Sequence, residues 1–239
     1  MNIDYRVSLW NYYGHTCEDG LEGVIAETRD AGYGIELWNN WDGESLYAPE
    51  NRDRMKALLD GMSVSMHGIT KDDLEGHFEL TETAAAIGGD VIVVHLHHFP
   101  DGNDGVDLEM MKETALHAKD KGITIALENG PKNRLAEAFD HAGESLRFCL
   151  DTGHWCGLKQ PLREYLEAFG DRLCHLHLQD PEEGKDHWEL GTGINPPEEW
   201  QCLKDHLRKI DFDGAGIIEI RPRRPVAVAA RSIRFFEDV

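Results

Sequence analysis

The stretch LCHLHLQ, residues 173–179, alternates polar with bulky apolar side chains, and that alternation decides the fold. Successive side chains of an extended strand point to opposite faces. His175, His177 and Gln179 therefore share one face, and Leu176 and Leu178 the other. The pattern recurs. ITIALEN (123–129) sets Thr124, Ala126 and Glu128 against Ile125 and Leu127, and LRFCLD (146–151) sets Cys149 and Asp151 against Phe148 and Leu150. SVSMHG (63–68) sets Ser63, Ser65 and His67 against Val64 and Met66. In each stretch the bulky face suits packing against helices. The other face is small or polar and carries a metal-ligand residue type near its C-terminal end.

Four further runs read as strands: YRVSLW (5–10), YGIELW (33–38), DVIVVHL (90–96) and GAGIIEI (214–220). Between the eight lie amphipathic segments at 21–31, 49–60, 73–87, 107–121, 134–141, 162–169, 197–210 and 226–236. Gly32, Gly61, Gly122 and Gly143 follow helices where a left-handed C-cap is expected. Eight β-then-α units in 239 residues predict a (β/α)8 TIM barrel of the α/β class, as a single domain over residues 1–239. A doubly wound sheet is the alternative, but no GxGxxG follows the first strand, so no organic cofactor is expected.

Composition excludes several classes. The hydrophobic fraction, 41%, is that of an ordinary soluble protein, and no run reaches the roughly 18 apolar residues of a membrane helix. The opening MNIDYRVSLW does not read as a secretory signal. Five cysteines with no CxxC fit a reducing cytoplasm, and Cys149 and Cys174 sit in apolar runs. The formal charge of −21 sets an expectation against nucleic acid.

In a TIM barrel the C-terminal strand ends carry the active site. Read in order, those ends supply His67, His95, Glu128, Asp151, His177 and Glu219, with His154 three residues beyond Asp151. Buried carboxylates repel one another unless a cation lies among them. Glu128, Asp151, His177 and Glu219 make a borderline-hard donor set suited to one divalent ion, Mn²⁺, Co²⁺, Mg²⁺ or Zn²⁺.

The chain resembles the xylose isomerase-like barrel superfamily, in the branch holding sugar isomerases and epimerases, inosose dehydratases and endonuclease IV. The motifs are VVH on the fourth strand, LEN on the fifth, LDTGH on the sixth, HLHLQD on the seventh, then DHWELGTG, and IIEIRP on the eighth. The resemblance implies that Glu128, Asp151, His177 and Glu219 hold the metal, that Glu128 and Glu219 are also the acid/base pair, and that His154 and His187 bind substrate or further metal. His67 and His95 are expected to line the substrate site. The implied activity is isomerisation or epimerisation of a keto sugar by proton removal next to a carbonyl, through an enediolate. A dehydratase of the superfamily shares that first step. An endonuclease IV-like phosphodiesterase is the third enzyme reading, weakened because Lys185 stands where an aspartate two residues before His187 is expected. A non-catalytic sugar-binding barrel is the fourth.

EIRPRRP places Arg221, Arg223 and Arg224 after the eighth strand, with Lys132 and Arg134 after the fifth. Arginine clamps carboxylate or phosphate, so Arg221 is a candidate for an anionic sugar, against a cluster that balances surface acid. Trp10, Trp38, Trp155 and Trp188 are candidates for an apolar sugar wall, and Glu36 for the site or a helix-facing position. Asp180, Glu182 and Glu183 read as solvated loop charges. The expected partner is a small sugar, with no membrane and no nucleic acid; exposed barrel helices are compatible with a homo-oligomer.

Overall fold

The computed structural model describes residues 1–9, 20–38, 40–41, 44–68, 71–103, 105–154, 162–182, 185–221 and 225–239. Eight parallel strands, β1 (Asn2–Ser8), β2 (Gly34–Trp38), β3 (Val64–His67), β4 (Val91–Val94), β5 (Thr124–Glu128), β6 (Leu146–Asp151), β7 (Leu173–Leu178) and β8 (Asp213–Ile218), close into a barrel in the order β1-β8-β7-β6-β5-β4-β3-β2. The helices between and after them are α1 (Gly20–Asp30), α2 (Pro49–Leu58), α3 (Leu74–Ile87), α4 (Leu108–Asp120), α5 (Lys132–Ala142), α6 (Leu162–Phe169), α7 (Pro197–Lys209) and α8 (Pro225–Asp238). Contacts group into two compact units, Met1–Ile35 with Phe148–Val239, and Glu36–Arg147.

Within Glu36–Arg147, β3, β4 and β5 pair in parallel, with His67 level with Val93 and Val94 level with Leu127. The continuous apolar run of β4 buries Ile92, Val93 and Val94 completely, as a strand covered on both faces requires. Helix α3 starts at Asp73, whose carboxylate accepts from the Gly76 amide at 2.7 Å, and α4 starts at Asp107, which accepts from Met110 at 2.9 Å. Gly88 closes α3 in the left-handed region at φ +84°.

Within Met1–Ile35 and Phe148–Val239, β8 lies between β1 and β7, with Val7 level with Ile218 and Ile217 level with His177. The β6–β7 pairing shifts: Phe148 opposes Leu173, but Cys149 opposes His175 and Asp151 opposes His177. Strand β7 therefore carries one extra residue, a bulge at Cys174. Without it Asp151 would lie level with Leu176, on the wrong parity. Gly214 of β8 accommodates the bulge, because a Cβ there would collide with the Cys174 carbonyl oxygen.

Two expectations shift in detail. The first strand begins at Asn2, because the Asn2 amide donates to Phe212 and Asn2 pairs with Asp213. Gly143 has positive φ as expected, but at φ 61°, ψ −135° it is not a left-handed helical cap; a short 3₁₀ turn, Gly143–Ser145, follows instead.

Candidate metal centre and active site

Within Glu36–Arg147, three predicted residues meet. His67 ends β3, His95 follows β4, and Glu128 ends β5. The His67 and His95 Nε2 atoms lie 2.9 Å apart, and a Glu128 carboxylate oxygen lies 3.8 Å and 3.7 Å from them. Glu128 is 1% exposed. Donor atoms of this trio lie within 4.8 Å of one another, close enough to share an ion. Two imidazole nitrogens and a carboxylate oxygen suit a divalent cation. The Trp38 ring lies 5.2 Å from that of His67, so one of the four candidate tryptophans stands beside the cluster.

His95 is held from behind by His98. The His95 amide donates to His98 Nδ1 at 3.2 Å, across the short turn Leu96–His98. Burial, with His95 and His97 adding to it, drives the His98 pKa down to about 2, so its imidazole stays neutral and keeps a nitrogen able to accept. Glu36 is wholly buried, accepts from Ser65 Oγ at 3.0 Å, and offers a donor atom within 4.8 Å of one on His67, so of its two expected placements the structure gives the one beside the site.

Within Met1–Ile35 and Phe148–Val239, Asp151, His154, His177, His187 and Glu219 meet. His177 Nδ1 lies 3.3 Å from Glu219 and 3.9 Å from Asp151. His187 Nδ1 lies 3.7 Å from the Glu219 carboxylate and 3.1 Å from its backbone oxygen. Asp151 and His177 have no exposed surface, and Glu219 is 2% exposed. Asp151 Oδ1 accepts from the amides of Gly153 (2.6 Å) and His154 (2.8 Å), which fixes the tight turn in DTGH. His154, half-exposed, has Nδ1 3.6 Å from Asp151. His187 is buried and its pKa is lowered by burial, against the pull of Asp151 and Asp186.

His187 arrives on an antiparallel ribbon, Asp180–Glu182 with Lys185–Trp188, that follows β7. The ribbon corrects one expectation. Asp180 is fully buried and not a solvated charge; it accepts from the amides of Gly191 (2.9 Å), Gly193 (3.0 Å) and Asn195 (3.1 Å) and so folds GTGIN back on the ribbon. Burial raises its pKa against those three bonds. Glu182 is exposed as expected, and Glu183 lies outside the described residues.

Arg221 donates through Nη2 to Asp186 Oδ1, and through Nε to the Asp186 carbonyl at 3.1 Å. The structure thus gives it the acid-balancing partner that the sequence held as its alternative. Lys132 and Arg134 lie on α5, where Arg134 pairs with Glu137. Trp188 is half-buried on the ribbon. Trp10, Trp155, Arg223 and Arg224 lie outside the described residues. Sequence reasoning placed Gln179 on the ligand-bearing face but gave it no role. Parity was the available signal, since Gln179 follows His175 and His177 at spacing two.

The xylose isomerase-like TIM barrel family matches residues 25–239. The chain belongs to that family. Among relatives of the xylose isomerase-like barrel, a probable endonuclease 4 of Mycobacterium ulcerans is 29% identical over 135 residues, which covers 49% of this chain and 54% of that protein. The chain thus spans about half the length of the curated relatives it matches. The fold is shared with solved structures. A D-tagatose 3-epimerase-like protein is 20% identical with a TM-score of 0.76, covering 99% of this chain and 97% of its own. A probable 3-DHS dehydratase from Bacillus anthracis is 14% identical with a TM-score of 0.71, covering 98% and 99%. At these identities the likeness is one of fold. Among the described residues, no helix is long and apolar enough to cross a membrane.

Proposed function

We propose that this xylose isomerase-like barrel is a divalent-metal-dependent isomerase or epimerase of a keto sugar. The observation that carries the reading is a matched pair of glutamates. Glu128 ends β5 and Glu219 directly follows β8; both are almost wholly buried and lie beside two imidazoles, His67 and His95 for Glu128, His177 and His187 for Glu219. Two buried carboxylates without a cation would be costly.

Glu128, Asp151, His177 and Glu219 would hold one ion, Mn²⁺, Co²⁺, Mg²⁺ or Zn²⁺. When bound, that ion polarises the sugar carbonyl and stabilises negative charge developing on its oxygens. One glutamate removes the proton from the carbon beside the carbonyl, and the other returns a proton to the opposite face, giving inversion. His67, His95, His154 and His187 would bind the sugar hydroxyls. Imidazole nitrogens can donate to or accept from hydroxyl groups, and lowered basicity at His187 fits that role. The resemblance in fold to an epimerase-like protein supports the reading.

The test is proton NMR of ketoses, inososes and their acid forms incubated with the protein and each metal in deuterated water. Deuterium at the carbon next to the carbonyl is expected, with a stereoisomer or aldose as product. An alkene or diketo product would reassign the enzyme as a lyase. No deuterium uptake with any sugar and metal, in protein that binds metal, would overturn the proposal.

A further inference from the structure

We propose that Gln179 is a positioning residue that couples Asp151 to His187. The proposal deepens the functional reading and rests on Asp151 being a cation ligand. Gln179 has no exposed surface, so both ends of its amide must be satisfied inside the protein. Its Oε1 accepts from the His187 backbone amide at 2.6 Å, and its Nε2 donates to Asp151 Oδ2 at 2.8 Å. The orientation of the amide is unambiguous, because a backbone N–H can only donate, so the amide oxygen must be the atom that faces His187.

Each end fixes something the site uses. At Asp151, the Gly153 and His154 amides hold Oδ1 and Gln179 holds Oδ2, so three donors from two segments define the plane of the carboxylate. At His187 the backbone adopts φ +62°, which is uncommon for a residue with a Cβ. Such a conformation persists where its neighbours over-determine it. Here the His187 amide is held by Gln179, its carbonyl accepts from the Arg221 amide at 2.7 Å, and its ring is held by the Glu219 carbonyl. The left-handed turn aims the His187 ring back at Glu219.

No other side chain at 179 serves both ends. Glutamate would keep the acceptor for His187 but set a second carboxylate against Asp151. Lysine would keep a donor and lose the acceptor. Asparagine is one methylene short. The Gly153 in DTGH is part of the same device, because a Cβ at 153 would lie 2.8 Å from Gln179 Cγ and nearer still to its amide.

The experiment uses the full chain with Gln179→Met, which removes both bonds at similar volume, and Gln179→Glu, which keeps the acceptor. Exchange of the His187 and Trp188 amides is followed by mass spectrometry in the metal-free protein, and Mn²⁺ affinity by calorimetry. Gln179→Met is expected to weaken Mn²⁺ binding roughly 10-fold to 100-fold, as loss of a group that orients a ligand does. It should also speed exchange at His187, and Gln179→Glu should keep that exchange slow. Unchanged Mn²⁺ affinity in Gln179→Met, or equally fast exchange in both variants, would overturn the proposal and leave Gln179 as packing. If Gln179→Met does not fold, Gly153→Ala takes its place in both measurements. Wild-type protein that binds no Mn²⁺, Co²⁺ or Zn²⁺ would defeat the metal reading of the site. The exchange comparison would then still decide whether Gln179 holds His187.

Discussion

Substituting Gly153 by alanine tests the packing of the DTGH turn against Gln179. A Cβ at this position meets Gln179 Cγ at 2.8 Å, and the separation must open to at least 3.4 Å for ordinary contact. Gln179 cannot yield without stretching its bonds to Asp151 and His187. Forcing an extra carbon into a packed interior costs about 1–3 kcal/mol. Weakening two buried hydrogen bonds adds about 0.5–1.5 kcal/mol each. Since the costs overlap, the expected loss is about 2–4 kcal/mol, a fall in melting temperature of roughly 5–15 °C for a chain of this size.

The control is the same change made in Gln179→Ala protein. There the obstructing amide is gone, and the φ of Gly153 lies outside the range that side chains avoid. Alanine should then cost less than about 1 kcal/mol, or stabilise slightly by restricting the unfolded chain. Urea unfolding of the four proteins, followed by circular dichroism, gives the coupling directly. If Gly153→Ala costs the same with and without Gln179, the contact does not limit the turn and the reasoning fails.

Three other outcomes are expected. Glu128→Gln and Glu219→Gln should each lower kcat by roughly 10²-fold to 10⁴-fold while the melting temperature holds or rises, since each removes a buried charge; near-normal deuterium uptake by either variant would remove it from the acid/base pair. Arg221→Ala should change KM for neutral and anionic sugars alike, because the guanidinium is engaged by Asp186; a selective loss for the anionic sugar in steady-state assays would show that Arg221 recognises substrate charge. His77, buried on α3 with Nε2 2.9 Å from the His98 carbonyl, has its pKa lowered below 6.5 chiefly by burial. Its contribution to stability is complete above that value and falls as pH drops, by at most about 1.4 kcal/mol per pH unit; His77→Gln should flatten the loss of urea stability between pH 7 and pH 5, and parallel curves would count against it.

The barrel was legible because its two periodicities are local. Parity within ITIALEN and LRFCLD identified Glu128 and Asp151 from residues one or two apart, and the helices between strands ended at glycines that their φ values bear out, as at Gly32 and Gly122. What stayed hidden depends on chain segments distant in sequence. The bulge at Cys174 is a mismatch between β6 and β7, and nothing within LCHLHLQ signals the extra residue. Asp180 looked solvated because charged neighbours surround it in DPEEGKD. It is buried because three amides from residues 191–195 return to it. Gln179 showed its face but not its partners, since one lies 28 residues away.

These hidden features bear on the choice between a sugar and a phosphodiester as substrate. Cutting a nucleic acid requires cations placed along its backbone, and binding weakens as those contacts are lost. The chain has 45 acidic against 24 basic residues. Arg221, a cation beside the His187 ribbon, is bonded to Asp186 through both side chain and backbone. An acidic residue that engages an arginine in this way lessens the positive field an incoming phosphate would meet. A neutral sugar meets no such obstacle. Its hydroxyls need short-range donors and acceptors in fixed places, which imidazoles and buried carboxylates provide. On the sugar reading proposed above, the ribbon that carries His187 would align a small polyol, and the bonds that Asp180 and Gln179 make would serve that alignment.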